Sequence, residues 1–127
     1  KTLSFLRPFV LGKLYVIFGC VGYSDKQKRM DMGLIANKYS DSIILTTDNR
    51  DFVNFEDICK DIKIEITKDC TQIEDRKTAI KKALSMLNCG DVLCVLGKGA
   101  EDFQKVNGKR CEYSDLDVVK ELLNKKD

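Results

Sequence analysis

The sequence predicts an α/β fold, a mostly parallel sheet with helices on both faces and a β-hairpin towards the C-terminal end. Three observations predict it. Continuous apolar runs rich in β-forming residues recur along the chain, and such runs read as strands buried on both faces. Longer stretches with helical spacing separate them, and strand–helix–strand alternation implies parallel strands joined by crossover helices. Val106-Asn-Gly-Lys109 carries Asn-Gly, a strong hairpin-turn dipeptide.

The elements follow in order. Leu14 to Gly19 is a continuous apolar run that ends in Gly and reads as the first buried strand. A helix is expected from Arg29 to Tyr39, with Met30, Gly33, Leu34, Ile35 and Ala36 on or near its inner face. Ser42 to Thr47 reads as a second buried strand, and Phe55 to Ile62 as a short helix. Lys63 to Thr67 alternates Ile with charge, which suits a third strand nearer an edge. Glu74 to Leu87 places Ala79, Ile80, Ala83, Leu84 and Leu87 on one helical face, with Gly90 as the C-terminal stop. Val92 to Gly97 is another buried strand, and Gln104 to Tyr113 holds the hairpin. Ser114 then caps a last helix, Asp115 to Leu123, whose first turn is acidic. The arrangement is Rossmann-like.

Composition narrows the chemistry. The 127 residues suit one domain with a modest core. The sequence contains no His, which excludes Ser-His-Asp and Cys-His nucleophile systems and His-ligated metal sites. Acid–base work would fall to Asp, Glu, Lys, Tyr or Cys. Twenty-two Lys and Arg against twenty Asp and Glu leave a formal charge of +2, no electrostatic reason to expect nucleic acid or a membrane surface as partner. The six cysteines form no C-x-x-C pair, and Cys20 and Cys94 read as small buried hydrophobes. No metal site is expected. With no signal peptide and no apolar run approaching a bilayer span, a reducing cytoplasm is the simpler expectation. The chain opens on Lys1 and reads as a piece of something longer.

In open parallel sheets ligands bind beyond the carboxyl ends of the strands. Three strand ends here lead into polar, Gly-containing or Asx-rich loops: Gly19 to Arg29, Thr46 to Asp51 and Gly97 to Gln104. The first runs from a strand into a helix, where a Gly-rich turn frees N–H groups for an anion, and Lys26, Lys28 and Arg29 add positive charge. It is neither a Walker A loop nor a dinucleotide fingerprint, and a plain turn would also explain it. The second, Asp48-Asn49-Arg50-Asp51, reads either as a helix-capping turn or as a polar grip on a zwitterionic ligand. In the third, Gly97 and Gly99 bracket Lys98 and let the backbone approach a ligand, while Glu101 could receive an ammonium group. A loop with surface charges is the alternative there.

Taken together, these segments resemble the carboxy-terminal domain of the Mur ligases, and most closely the tripeptide-synthetase branch that adds a diaminopimelate or lysine to the peptidoglycan stem peptide. The family's F-G-C-G-G-D-R-D-K-G-K-R-P-x-M-G stands here as Phe18 to Gly33, and its L-T-x-D-N-P-R as Leu45 to Asp51. Its D-R-x-x-A-I appears as Asp75 to Ile80, its G-D-V-V-L-x-A-G-K-G-H-E-x-Y-Q as Gly90 to Gln104, and its Y-S-D as Tyr113 to Asp115. Sister ligases of the cyanophycin or folylpolyglutamate type fit less well, because the Asp-Asn and Gly-Lys-Gly-x-Glu motifs together are closer to the tripeptide branch.

The resemblance implies a three-domain enzyme. Its N-terminal domain holds UDP-N-acetylmuramoyl-dipeptide, a central P-loop domain holds ATP and Mg²⁺, and the third brings the incoming amino acid to an acyl phosphate. This chain has no G-x-x-x-x-G-K-S/T, so residues 1–127 are expected to be the third domain alone, with no cofactor of its own, able to fold but not to catalyse alone. Asp48, Asn49, Arg50, Gly97, Lys98 and Glu101 are the implied substrate-binding positions, with Glu101 on the distal ammonium. Ser24, Asp25, Lys28 and Arg29 are the implied nucleotide-side loop; no residue is assigned a catalytic role. Three departures stand out. Ser24 replaces a family Arg, Arg50-Asp51 replaces Pro-Arg, and Ala100 replaces a His. A guanidinium clamps a carboxylate through two parallel hydrogen bonds, and Asp51 would repel one. The resemblance therefore implies a side chain ending in an amine, such as lysine or ornithine, rather than diaminopimelate, unless Arg50, one residue earlier and not held behind Pro, swings in to clamp the carboxylate. Loss of these side chains also leaves open a catalytically degenerate binding or scaffold domain.

Overall fold

The computed structural model describes residues 2–20, 22, 24–48 and 52–96, and the backbone of 103–106 and 109–112. A short helix α1 (Thr2–Leu6) and a single 3-10 turn (Arg7–Phe9) lead into β1 (Leu14–Phe18). There follow α2 (Lys26–Tyr39), β2 (Ser42–Leu45), α3 (Phe55–Lys63), β3 (Asp69–Gln72), α4 (Arg76–Met86) and β4 (Val92–Val95), then β5 (Phe103–Val106) and β6 (Lys109–Glu112). The strand order is β3-β2-β1-β4, every pair parallel, while β5 and β6 form a separate antiparallel ribbon. Val106 pairs with Lys109, so the two strands are joined by a two-residue connection, as the Asn-Gly dipeptide predicts.

Strand alternation sorts the core into two layers. Leu14, Val16 and Phe18 of β1 and Ile43 and Leu45 of β2 pack with Ala36 of α2 and with Phe55, Ile58 and Ile62 of α3. Ile17 and Ile44 point the other way, onto Ala79, Ile80 and Ala83 of α4. The expected parallel sheet with helices on both faces is what forms.

Each longer helix begins at a side-chain cap. Asp25 accepts from the Lys28 amide at 2.8 Å, Asn54 from Glu56 at 2.7 Å and Asp75 from Thr78 at 3.0 Å. In α3 the charges also complement the dipole, with Glu56 and Asp57 in the first turn and Lys60 and Lys63 in the last. A Cβ on Gly33 would lie 2.0 Å from the Ile62 carbonyl oxygen, so α2 and α3 touch backbone to backbone and only Gly fits.

Several expectations are corrected. The segment Lys63 to Thr67 is the end of α3 and a turn, and the edge strand lies later, at Asp69–Gln72. Ile64 is the C-cap of α3 and Ile66 packs on the core from just beyond the turn, while β3, which has one neighbouring strand among the described residues, is largely exposed and needs no apolar pattern. Helix α2 starts at Lys26 rather than Arg29, because Asp25 caps it. Leu34 and Ile35 are 49% and 43% exposed, since α2 packs through the small Gly33 and Ala36. Cys94 is only half-buried. Gly90, at φ +90°, sits in the turn Asn88–Asp91 and not at the end of α4, which stops at Met86. The α1 segment and its 3-10 turn had no clear sequence signal. The expected helix Asp115 to Leu123 lies outside the described residues.

Candidate functional site

Because β1, β2 and β4 are parallel and in register, their carboxyl ends share one edge of the sheet, and the three loops leave from that edge. The ends are tied together by the backbone. The Thr46 amide donates to the Phe18 carbonyl at 3.0 Å, and the Leu96 amide to the Ile17 carbonyl at 2.9 Å. At Gly19 an added Cβ would lie 2.2 Å from the Thr46 carbonyl oxygen, so the turn out of β1 presses directly on the turn out of β2.

This edge is polar and yet buried. Thr46, Thr47 and Asp48 are 2%, 3% and 6% exposed. Both threonine hydroxyls donate to the Glu74 carbonyl, at 3.1 and 2.6 Å, and the Thr47 amide adds a third bond at 3.3 Å. Beneath them lies Arg76, 1% exposed and the largest fully buried side chain among the described residues. Its Nη1 donates to the Thr47 carbonyl at 3.1 Å and its Nη2 to the Leu96 carbonyl at 2.9 Å. In the sequence Arg76 stands within the Asp75 to Ile80 motif with no role apparent. The available signal was its position one residue after the Asp75 cap, where a cation opposes the helix dipole and needs another reason to be there.

Residues of the first loop, expected from the resemblance to face the nucleotide, are also engaged. Asp25 caps α2. Arg29, 7% exposed, donates from Nε to the Ser24 hydroxyl at 2.9 Å, from Nη1 to Asp61 at 3.0 Å and from Nη2 to the Gly22 carbonyl at 3.3 Å. Its guanidinium thus fastens the first loop to α3, and Ser24 is one of the anchors. Lys28 is exposed. Cys20 lies where these groups meet Asp48. Burial, chiefly, pushes its thiol up to about 11, Asp48 adds to the rise, and Arg29, Lys28 and a hydrogen bond to Ser24 oppose it. Cys20 is therefore a neutral thiol near pH 7, not a nucleophile.

Of the substrate-binding positions read from the sequence, Asp48 is at the edge, buried beside this cluster. Asn49, Arg50, Gly97, Lys98 and Glu101, and with them the departures Asp51 and Ala100, lie outside the described residues. Among the described residues no three His, Cys, Asp or Glu side chains gather as a metal site, and no helix is long and apolar enough to cross a membrane.

Residues 1–99 match the family described as Mur ligase, glutamate ligase domain. The chain is similar over 97% of its length, at 49% identity, to the UDP-N-acetylmuramoyl-L-alanyl-D-glutamate--2,6-diaminopimelate ligase of Aquifex aeolicus, of which it covers 26%. A ligase of the same name from Chelativorans sp. is 40% identical over 99% of the chain, again 26% of the relative. A solved structure of such a ligase superposes with a TM-score of 0.92 at 32% identity, over 98% of this chain and 26% of that one. The chain thus spans about a quarter of the length of the relatives it matches.

Proposed function

The chain belongs to the Mur ligase C-terminal, or glutamate ligase, domain family, and from that premise we propose that it is the amino-acid-presenting domain of an ATP-dependent ligase that adds a diamino acid to UDP-N-acetylmuramoyl-dipeptide in peptidoglycan synthesis. The observation that carries the reading is similarity along nearly the whole chain to ligases of one named activity. The gathering of three loop exits on one buried polar edge is consistent with it.

In this reading Asn49 and Gly97 hold the head group of the incoming amino acid and Glu101 pairs with its distal ammonium. Holding the amine at a fixed edge replaces a chance encounter with an oriented one, which raises the effective concentration of the nucleophile. ATP phosphorylates the dipeptide carboxylate and leaves as ADP; the α-amine then attacks the acyl phosphate, so that the amide C–N bond forms as the C–O bond to phosphate breaks and the amine loses a proton. The sequence carries no P-loop, and the reading assigns ATP, Mg²⁺ and the UDP-sugar to N-terminal and central domains of a longer protein that acts in the cytoplasm.

The names of the relatives support diaminopimelate as the amino acid added. A second reading, lysine or ornithine, is favoured by one observation, Asp51 where the family carries a carboxylate-clamping Arg. The test is ADP release by the longer protein that contains this chain, given ATP, Mg²⁺, UDP-N-acetylmuramoyl-L-Ala-D-Glu and each amino acid in turn. Preference for meso-diaminopimelate supports the first reading, and preference for lysine or ornithine the second. No release with any of them overturns the ligase reading in favour of a degenerate binding or scaffold domain.

A further inference from the structure

We propose that Arg76 is a positioning residue for the incoming amino acid, setting the distance between the two loops that hold it. The proposal rests on the amino-acid-presenting role above. The Thr47 carbonyl that accepts from Nη1 lies two residues before Asn49, and the Leu96 carbonyl that accepts from Nη2 lies one residue before Gly97. The strands behind those carbonyls are not neighbours, because β1 lies between β2 and β4. No ladder hydrogen bond therefore joins the two exits directly; through the ladder each is tied only to β1, Thr46 to Phe18 and Leu96 to Ile17. One planar guanidinium, with two nitrogens a fixed distance apart, joins them across the end of β1.

Two further features make the clamp stiff. The Glu74 carbonyl, two residues before Arg76, takes three hydrogen bonds from Thr46 and Thr47, so the α4 start and the β2 exit are locked independently of the arginine. The turn at Gly19, pressed on the Thr46 carbonyl, leaves the β2 exit no room to retreat towards β1. A fully buried cation is costly to desolvate and is retained only where its donors are matched. Here the described matches are the two loop-exit carbonyls. The same guanidinium never reaches the surface, so it acts on the ligand through the loops.

The experiment is steady-state kinetics on the longer protein with Arg76→Lys, which keeps the charge but loses the fixed fork. The KM for the amino acid is expected to rise about tenfold or more, while the KM values for ATP and for the UDP-sugar dipeptide stay within about twofold. A merely structural role would lower the active fraction, and hence kcat, with all three KM values unchanged; that result overturns the proposal, as does a uniform rise in all three. Hydrogen exchange on the same protein gives a second reading. Faster exchange confined to residues 48–49 and 97–99, with the β1 amides unchanged, is expected, and exchange equal to wild type at both loops, or loss of the cooperative fold, overturns the clamp. If the wild-type protein itself shows no amino-acid-dependent turnover, the ligase reading has failed, and the exchange pattern alone then decides whether Arg76 spaces the loops.

Discussion

The two edges of the sheet satisfy their loose backbone groups in opposite ways. Where the strands begin, spare N–H groups meet carboxylates in or near solvent. Asp41 accepts from the Leu14 amide at 2.8 Å and from Arg7 at 2.6 Å, and Asp91 accepts from the amides of Lys13 and Asn88 at 2.8 and 2.9 Å. Where the strands end, spare carbonyls meet a buried cation, with Arg76 bonded to Thr47 and Leu96. Both edges obey the same requirement, that backbone polar groups find partners. They differ in dielectric. The acidic edge is wet, so its bonds are weak and titratable. The basic edge is dry, and a lost bond there leaves an acceptor with no water to replace it. The proposed binding at the carboxyl edge would call for stiffness there and not at the other edge.

The largest contrast should come from the two arginines. Arg76→Met strands two carbonyls, that of Thr47 buried and that of Leu96 partly so, and is expected to cost about 3 kcal/mol in urea unfolding. Arg7→Met breaks an ion pair whose partners are both more than a third exposed, and should cost less than about 1 kcal/mol. Similar losses in the two variants would remove the distinction between the edges.

A smaller contrast lies in the glycines. Gly19→Ala drives a methyl into the Thr46 carbonyl, a backbone atom 2.2 Å away, for an expected loss of about 2 kcal/mol. Gly12→Ala first meets the Asp91 carboxylate at 2.3 Å, a side chain that can swing away, although the Gly90 backbone is also close at 2.9 Å. Its expected loss is about 1 kcal/mol. Thermal unfolding of the pair ranks them, and the opposite ranking would mean that the strand-start edge is the stiffer one.

The smallest effect is with pH. The Leu14 amide and then Arg7 hold the Asp41 carboxyl below its usual range, and the amides of Lys13 and Asn88 do the same for Asp91. A carboxyl lowered in the folded state adds stability that is present above its unfolded pKa, near 3.8, and is lost as pH falls through the folded value. The urea midpoint should therefore decline from pH 5 towards pH 3, and the double variant Asp41→Asn, Asp91→Asn should flatten that decline. An unchanged slope in the double variant would show that these carboxylates carry none of the acid sensitivity.

How far the sequence reveals these edges depends on the physics behind each. β1 and β2 were legible because a strand covered on both faces must be apolar throughout. The caps Asp25, Asn54 and Asp75 were legible in principle, since each is an Asx residue just before a helical run, yet the α2 start was placed three residues late by weighing only its apolar side. Strand β3 was misplaced because an exposed edge strand imposes no pattern. At the site, the loop exits were found because parallel topology alone puts them on one edge. Arg76 was missed because its role is a spacing between segments some 20 to 30 residues away in the chain, and no local pattern encodes that.

The most direct measurement compares the edges by function. In the longer protein, the KM for the preferred diamino acid is measured with Asn49→Ala, at the exit of β2, and with Asp91→Asn, at the entrance of β4. The expected result is a rise of about tenfold or more for Asn49→Ala and a change within about twofold for Asp91→Asn. Wild-type KM in Asn49→Ala, or an equal rise in both variants, would contradict the assignment of amino-acid binding to the carboxyl edge of the sheet.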